Sequence, residues 1–176
     1  GDDGEDGDVG AGDLRLGAKV RLTPRAGAVG VAVALGATFP TGGARYGSED
    51  GVALDPKVVF DWRGDDVVLA LSLGYRMRPG GLVGSVAVGD ELRFGVGVEG
   101  RLAPTVTMLG ELEGGHGLDV VPAARATPIE LRLGARIRLD AWALTVGAGT
   151  RLTDGYGAPD VRLVVGLGWA PPPFPP

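Results

Sequence analysis

The sequence contains no cysteine. A disulfide framework and a thiolate metal centre are both excluded, and the redox compartment stays open. There is a single histidine, His116, which argues against His-rich metal sites and most histidine-based catalysis. Aromatic residues make up only 6% of the chain. Apolar residues make up 44%, yet no run approaches the roughly 18 residues that a membrane-spanning helix needs. There is no basic tract and the formal charge is −5, so nucleic-acid binding has no electrostatic footprint. The chain opens at Gly1 without a methionine, and no signal peptide is visible. The expectation is a fragment or processed form.

Glycine is abundant, at 33 residues. It disfavours long helices and suits tight turns, bulges and curved strands. Against that background runs a two-residue beat. Leu14, Leu16, Ala18, Val20 and Leu22 alternate with Arg15, Gly17, Lys19, Arg21 and Thr23. The beat returns at Ile129, Leu131, Leu133, Ala135, Ile137 and Leu139, set against Glu130, Arg132, Gly134, Arg136, Arg138 and Asp140. Successive side chains of a β-strand point to opposite faces, so each such segment makes one apolar and one charged face. Repeated strands of roughly ten residues with this alternation are the signature of a transmembrane β-barrel, apolar face to lipid and charged face to an aqueous lumen.

The beat predicts nine strands, at about 13–23, 28–39, 57–63, 66–78, 90–102, 105–114, 128–140, 142–152 and 160–169. Short links are expected at Thr23–Gly27, Arg63–Asp66, Leu102–Thr105 and Leu139–Trp142, and longer ones at Pro40–Pro56, Pro79–Gly89, Gly115–Thr127 and Thr153–Pro159. Short and long alternate, as periplasmic turns and extracellular loops do in outer-membrane barrels. The expected class is therefore all-β, a transmembrane antiparallel up-and-down barrel. On this reading residues 1–12 form an acidic extracellular loop, 13–169 the barrel, and 170–176 a Pro-rich periplasmic linker to a missing C-terminal domain. Bacterial barrels have an even strand count with both ends periplasmic. An odd number of strands is thus expected before Gly1, giving ten to twelve in the parent.

The charges expected to face the lumen are Arg15, Lys19, Arg21, Arg76, Arg78, Glu91, Arg93, Glu99, Arg101, Glu111, Glu113, Glu130, Arg132, Arg136, Arg138 and Arg162, together with Lys57, Asp61, Asp140 and Arg151. They read either as a lumen filled by ion pairs or as the wall of a narrow, solute-selecting pore. An Arg on the lipid face at midplane would cost about 2–4 kcal/mol, so either reading needs them inside. Trp62, Tyr75, Trp142 and Trp169 fall near strand ends on the apolar face, as an interfacial aromatic girdle requires. The acidic start Asp2–Asp8 could attract Ca²⁺ but lacks the spaced Glu of an EF-hand loop, so it reads as a solvated loop, as do Ser48, Glu49, Asp50 and Asp55. His116 is placed in a loop beside Asp119, with Ser72 and Ser85 elsewhere, and no catalytic triad is expected. No cofactor or metal is expected.

Several short stretches resemble a known family. Gly12-Asp13-Leu14-Arg15-Leu16-Gly17-Ala18-Lys19, Phe39-Pro40-Thr41-Gly42 and Asp90-Glu91-Leu92 look like strand segments of the barrel in OmpA-family proteins of myxobacteria and related Gram-negative bacteria. Gly155-Tyr156-Gly157-Ala158-Pro159-Asp160-Val161-Arg162 and Gly166-Leu167-Gly168-Trp169 resemble that family's last hairpin and final strand. The tail Ala170–Pro176 is similar to its linker to a peptidoglycan-binding domain. The resemblance implies a bacterial outer-membrane location and contact with outer-membrane lipid; closure of the barrel on itself favours a monomer. The resemblance also implies a structural role, anchoring a missing periplasmic domain to peptidoglycan. A porin-like or transporter-like channel for small solutes is the first alternative. A soluble β-sheet binding module is the second.

Overall fold

The computed structural model describes residues 12–24, 26–42, 50–83, 86–118, 120, 125–155 and 159–169. Eleven strands follow in chain order: β1 (Leu14–Arg21), β2 (Val29–Phe39), β3 (Ala53–Arg63), β4 (Val67–Arg76), β5 (Gly81–Val83), β6 (Val86–Val88), β7 (Glu91–Ala103), β8 (Val106–Gly117), β9 (Ile129–Leu139), β10 (Trp142–Arg151) and β11 (Arg162–Trp169). Nine of them form one antiparallel sheet in the order β1-β2-β3-β4-β7-β8-β9-β10-β11. Sequence neighbours are spatial neighbours throughout, apart from the β5-β6 hairpin inserted between β4 and β7. The sheet curls into an open half-barrel whose free edges are β1 and β11. There is no α-helix among the described residues, and none long and apolar enough to cross a membrane.

The alternation sets which face goes where. In register across the middle of the sheet, Val31 pairs with Phe60, Phe60 with Leu71, Leu71 with Val96, Val96 with Leu112, and Leu112 with Leu131. This apolar row lies on the convex face and stays accessible: Leu71 is 42% exposed and Leu163, on the edge strand β11, 80%. Nine strands at about 4.8 Å spacing are about 43 Å wide, and ten residues tilted as in a barrel rise about 25 Å. The exposed band is therefore on the order of 1,000 Å², against roughly 300–600 Å² for the largest patch of a typical soluble monomer. Among the described residues the sheet has no apolar core packed on its convex face. The buried apolar cluster among the described residues is Val88, Val120 and Ala126, which sits among the longer connections.

The links alternate as the sequence predicts. Residues 22–28, 64–66, 104–105 and 140–141 connect strands at one rim, and 40–52, 77–90, 118–128 and 152–161 at the other. Several boundaries differ from the expected ones. β3 begins at Ala53, so Asp55 and Pro56 belong to a strand and not to a loop. Pro56 lacks a donor, and the β3–β4 ladder stops at Lys57↔Gly74, to resume only as the isolated bridge Leu54↔Met77 in the same register. β8 runs to Gly117, which moves His116 from the expected loop into the strand. The segment 79–89, read as a plain loop, holds the β5-β6 hairpin. Asp140, expected as a strand residue, lies in the β9–β10 turn with φ at 52°, a left-handed conformation that short-chain Asp tolerates. The expected acidic loop 1–12, apart from Gly12, and the linker 170–176 lie outside the described residues.

Candidate functional site: the charged concave face

Thirteen Lys/Arg and seven Asp/Glu fall within the nine strands of the large sheet. All of them occupy the positions that alternate to the concave face; none sits on the convex one. Four ion pairs reach over an intervening strand. Arg21 on β1 donates both of its Nη1 contacts at 3.0 Å to Asp61 on β3. Arg93 on β7 meets Asp55 on β3 at 2.9 Å. Arg136 on β9 meets Glu99 on β7 at 3.2 Å, and Arg162 on β11 meets Glu130 on β9 at 2.8 Å. Next-but-one strands are about 9.6 Å apart in a flat sheet. Curling toward the charged side shortens that reach.

Glycine on the bridged strands makes room for these pairs. A Cβ at Gly30 on β2 would fall inside the Asp61 carboxylate and against the Arg21 guanidinium. A Cβ at Gly149 on β10 would stand 2.6 Å from Arg132 Cγ and 2.8 Å from Glu130 Oε1. The small residues on these faces are thus seats for long side chains from the neighbouring strands.

One chain of contacts runs from β3 to β11. Asp55 holds Arg93; Arg93 Nη2 donates to Glu113 Oε1 at 2.6 Å; the other Glu113 oxygen accepts from Arg132. Arg132 also lies 3.7 Å from Glu111 and 3.9 Å from Glu130, which Arg162 closes off. Arg78, expected on a strand, lies just past the end of β4 and reaches Glu91 at 4.0 Å. Arg63 joins Asp61 at 2.6 Å, and Arg101 lies 3.9 Å from Asp66 near the opposite rim. Arg151 pairs with Asp160 at 2.7 Å. By contrast, Arg15, Lys19, Lys57 and Arg138 have no side-chain partner among the described residues. Asp55, expected in a loop that Pro56 closes, belongs to β3 and to this network. The two-residue beat through Asp55, Lys57, Asp61 and Arg63 was the available signal.

No protein-family model matches the chain, and none of the curated proteins does. The site must be read from its own chemistry.

The aromatic positions sort by rim. Trp62, Trp142 and Trp169 lie on the convex face at the short-link end, and Trp142 pairs directly with Trp169 in register. Tyr75 lies at the long-link end, where its hydroxyl donates to Asp90 Oδ2 at 2.7 Å. A cleft of about 350 Å³ opens at the short-link end, between Asp65, Glu99, Arg101, Thr107, Arg136 and Arg138. Ser72 lies mid-strand on the concave face, its hydroxyl 3.5 Å from the Gly95 carbonyl. His116 sits at the end of β8 on the other face, beside Thr127 at 2.9 Å. These two are not brought together; Ser85 and Asp119 lie outside the described residues. Among the described residues no group of three His, Cys, Asp or Glu side chains could hold a metal ion.

Asp90 ties the long-link rim together. The Tyr75 hydroxyl, and after it the Arg78 backbone N–H at 3.1 Å, hold its carboxyl below the ordinary value of 3.8. A depressed folded-state pKa contributes stability that is present above the unfolded value and is lost as pH falls through the folded one. Acid titration of unfolding should therefore show a loss of stability that begins below pH 4 or so. In Asp90→Asn that component of the acid limb is expected to disappear, and an unchanged limb would remove Asp90 from this role.

Proposed function

We propose that this chain is the membrane-spanning wall of an outer-membrane β-barrel with a structural role in the bacterial envelope. The observation that carries the reading is the inversion of the usual sheet pattern. The apolar face is convex and uncovered across all nine strands, while every strand charge is concave. A water-soluble sheet buries its apolar face on a core, and this one leaves it open.

Several further features support the reading. The alternation of short and long links fits periplasmic turns and extracellular loops. Trp at one rim and Tyr at the other match the two interfacial belts of a spanning protein. The ion-pair chain fills much of the concave face, which suits an anchor more than a wide pore. The free edges of β1 and β11 need partners in hydrocarbon, where each unpaired backbone group costs several kcal/mol. Closure by further strands is therefore part of the proposal. The stretches similar to OmpA-family barrels favour attachment to a periplasmic peptidoglycan-binding domain, and on that reading cell-wall sacculi retain the whole protein.

Insertion is directly measurable. The chain, diluted from urea into phosphatidylcholine vesicles, is expected to shift its tryptophan emission to the blue. Lipids brominated near the headgroups should quench Trp62, Trp142 and Trp169 more than lipids brominated at the bilayer centre. A chain that instead stays monomeric and folded in buffer without detergent is a soluble β-sheet module, and the barrel reading fails.

A further inference from the structure

The charges on the concave face do not balance. The whole chain carries more Asp/Glu than Lys/Arg, 22 against 17, but its strands carry the reverse excess, thirteen cations to seven carboxylates. Each of the seven carboxylates faces an arginine: Asp55, Asp61, Glu91, Glu99, Glu111, Glu113 and Glu130 are all engaged. The surplus is cationic, and three of the cations without a partner are gathered in one place.

Lys19 on β1 and Lys57 on β3 both pair in register with Ala34 on β2. Only the Ala34 methyl stands between the lysines, and two residues along Gly17 pairs with Gly36, so the adjoining floor on β1 and β2 is bare of side chains. Arg15 lies on the same face of β1, four residues from Lys19. Asp55, in register with Gly36, is the carboxylate that borders this patch, and its Oδ2 is taken by Arg93. Rings of Lys or Arg side chains are the device by which pores select anions. A cleft lined by one sign of charge raises the local concentration of the opposite ion by about tenfold or more.

We propose that Arg15, Lys19 and Lys57 form an anion-attracting patch and make the aqueous interior of the closed barrel a passage for small anions. The inference rests on the barrel reading and adds conduction and a solute class to it. Its test is a salt-gradient reversal potential across planar bilayers of uncharged phosphatidylcholine, with the whole protein, including the strands that close β1 against β11, and chloride as the probe. Screening by salt weakens the field, so the expected anion-to-cation permeability ratio is about three or more at low ionic strength. Lys19→Glu with Lys57→Glu breaks no ion pair, because neither lysine has a partner, and it should carry the ratio below one. The double variant is first checked for insertion by the tryptophan assay above. A chain that inserts but passes no current, passes cations, or keeps its ratio in the double variant overturns the inference alone. A chain that never inserts overturns the barrel reading, and this inference falls with it.

Discussion

Replacing Leu71 by arginine is expected to destabilise the protein in a bilayer by about 2–4 kcal/mol, the cost of a lipid-facing Arg at midplane. Leu71 sits at the middle of β4, flanked in register by Phe60 and Val96, and is 42% exposed. On the surface of a soluble protein the same change would fall within about 0.5 kcal/mol. The two environments thus give different answers for one residue. Depth supplies an internal control. Val67 lies on the same face of the same strand, beside the short link 64–66. In a barrel, Val67→Arg should cost only about 0–1 kcal/mol, because the interface is wet. Reversible urea unfolding from vesicles measures both. Equal, small effects at the two positions would mean that the convex face meets water and that the membrane reading is wrong.

How much was legible in the sequence follows from how the two-residue beat is written. β1 and β9 set Leu, Ile, Val or Ala on one side against Arg, Lys, Glu or Gly on the other throughout their length, and both are found close to where the alternation places them. β2 has only Gly, Ala and Thr on its concave side, but its Val and Leu keep the period. The beat fades where glycine replaces side chains. The end of β8, Gly114-Gly115-His116-Gly117, has no alternation of its own. Its strand is set from outside, by pairing with Glu91–Phe94 on β7. The Phe94 ring lies where a side chain at Gly114 would stand, and the Glu91 carboxylate where one at Gly115 would stand. Three-residue strands such as β5 and β6 are too short to show a period at all.

The concave network was legible only in part. Parity along each strand predicts that Arg and Glu share a face, and they do. Parity says nothing about which cation meets which carboxylate. That depends on curvature, because the closest pairs include ones that skip a strand, and on the absent side chains at Gly30 and Gly149 over which they reach. The imbalance that leaves Lys19 and Lys57 unpaired is likewise a property of placement. Overall composition points the other way, to a mildly acidic protein.

Glu113 is where the network is most vulnerable. Its two oxygens serve Arg93 on β7 and Arg132 on β9, so one side chain ties three adjacent strands together. Removing one partner of a buried ion pair costs about 3–5 kcal/mol. Here the side chains of Glu113, Arg93 and Arg132 are 31%, 25% and 26% exposed, and solvent screening lowers the expected loss for Glu113→Gln to about 2 kcal/mol. Arg93 keeps Asp55, while Arg132 keeps only the longer contacts to Glu111 and Glu130. The two guanidiniums are then left as near neighbours without the carboxylate between them. A double-mutant cycle separates that repulsion from simple loss of a contact. If the network holds as described, adding Arg93→Gln to Glu113→Gln costs less than Arg93→Gln does alone. Strict additivity in urea unfolding would mean that the ion pairs along β7, β8 and β9 act independently and that no continuous chain braces the concave face.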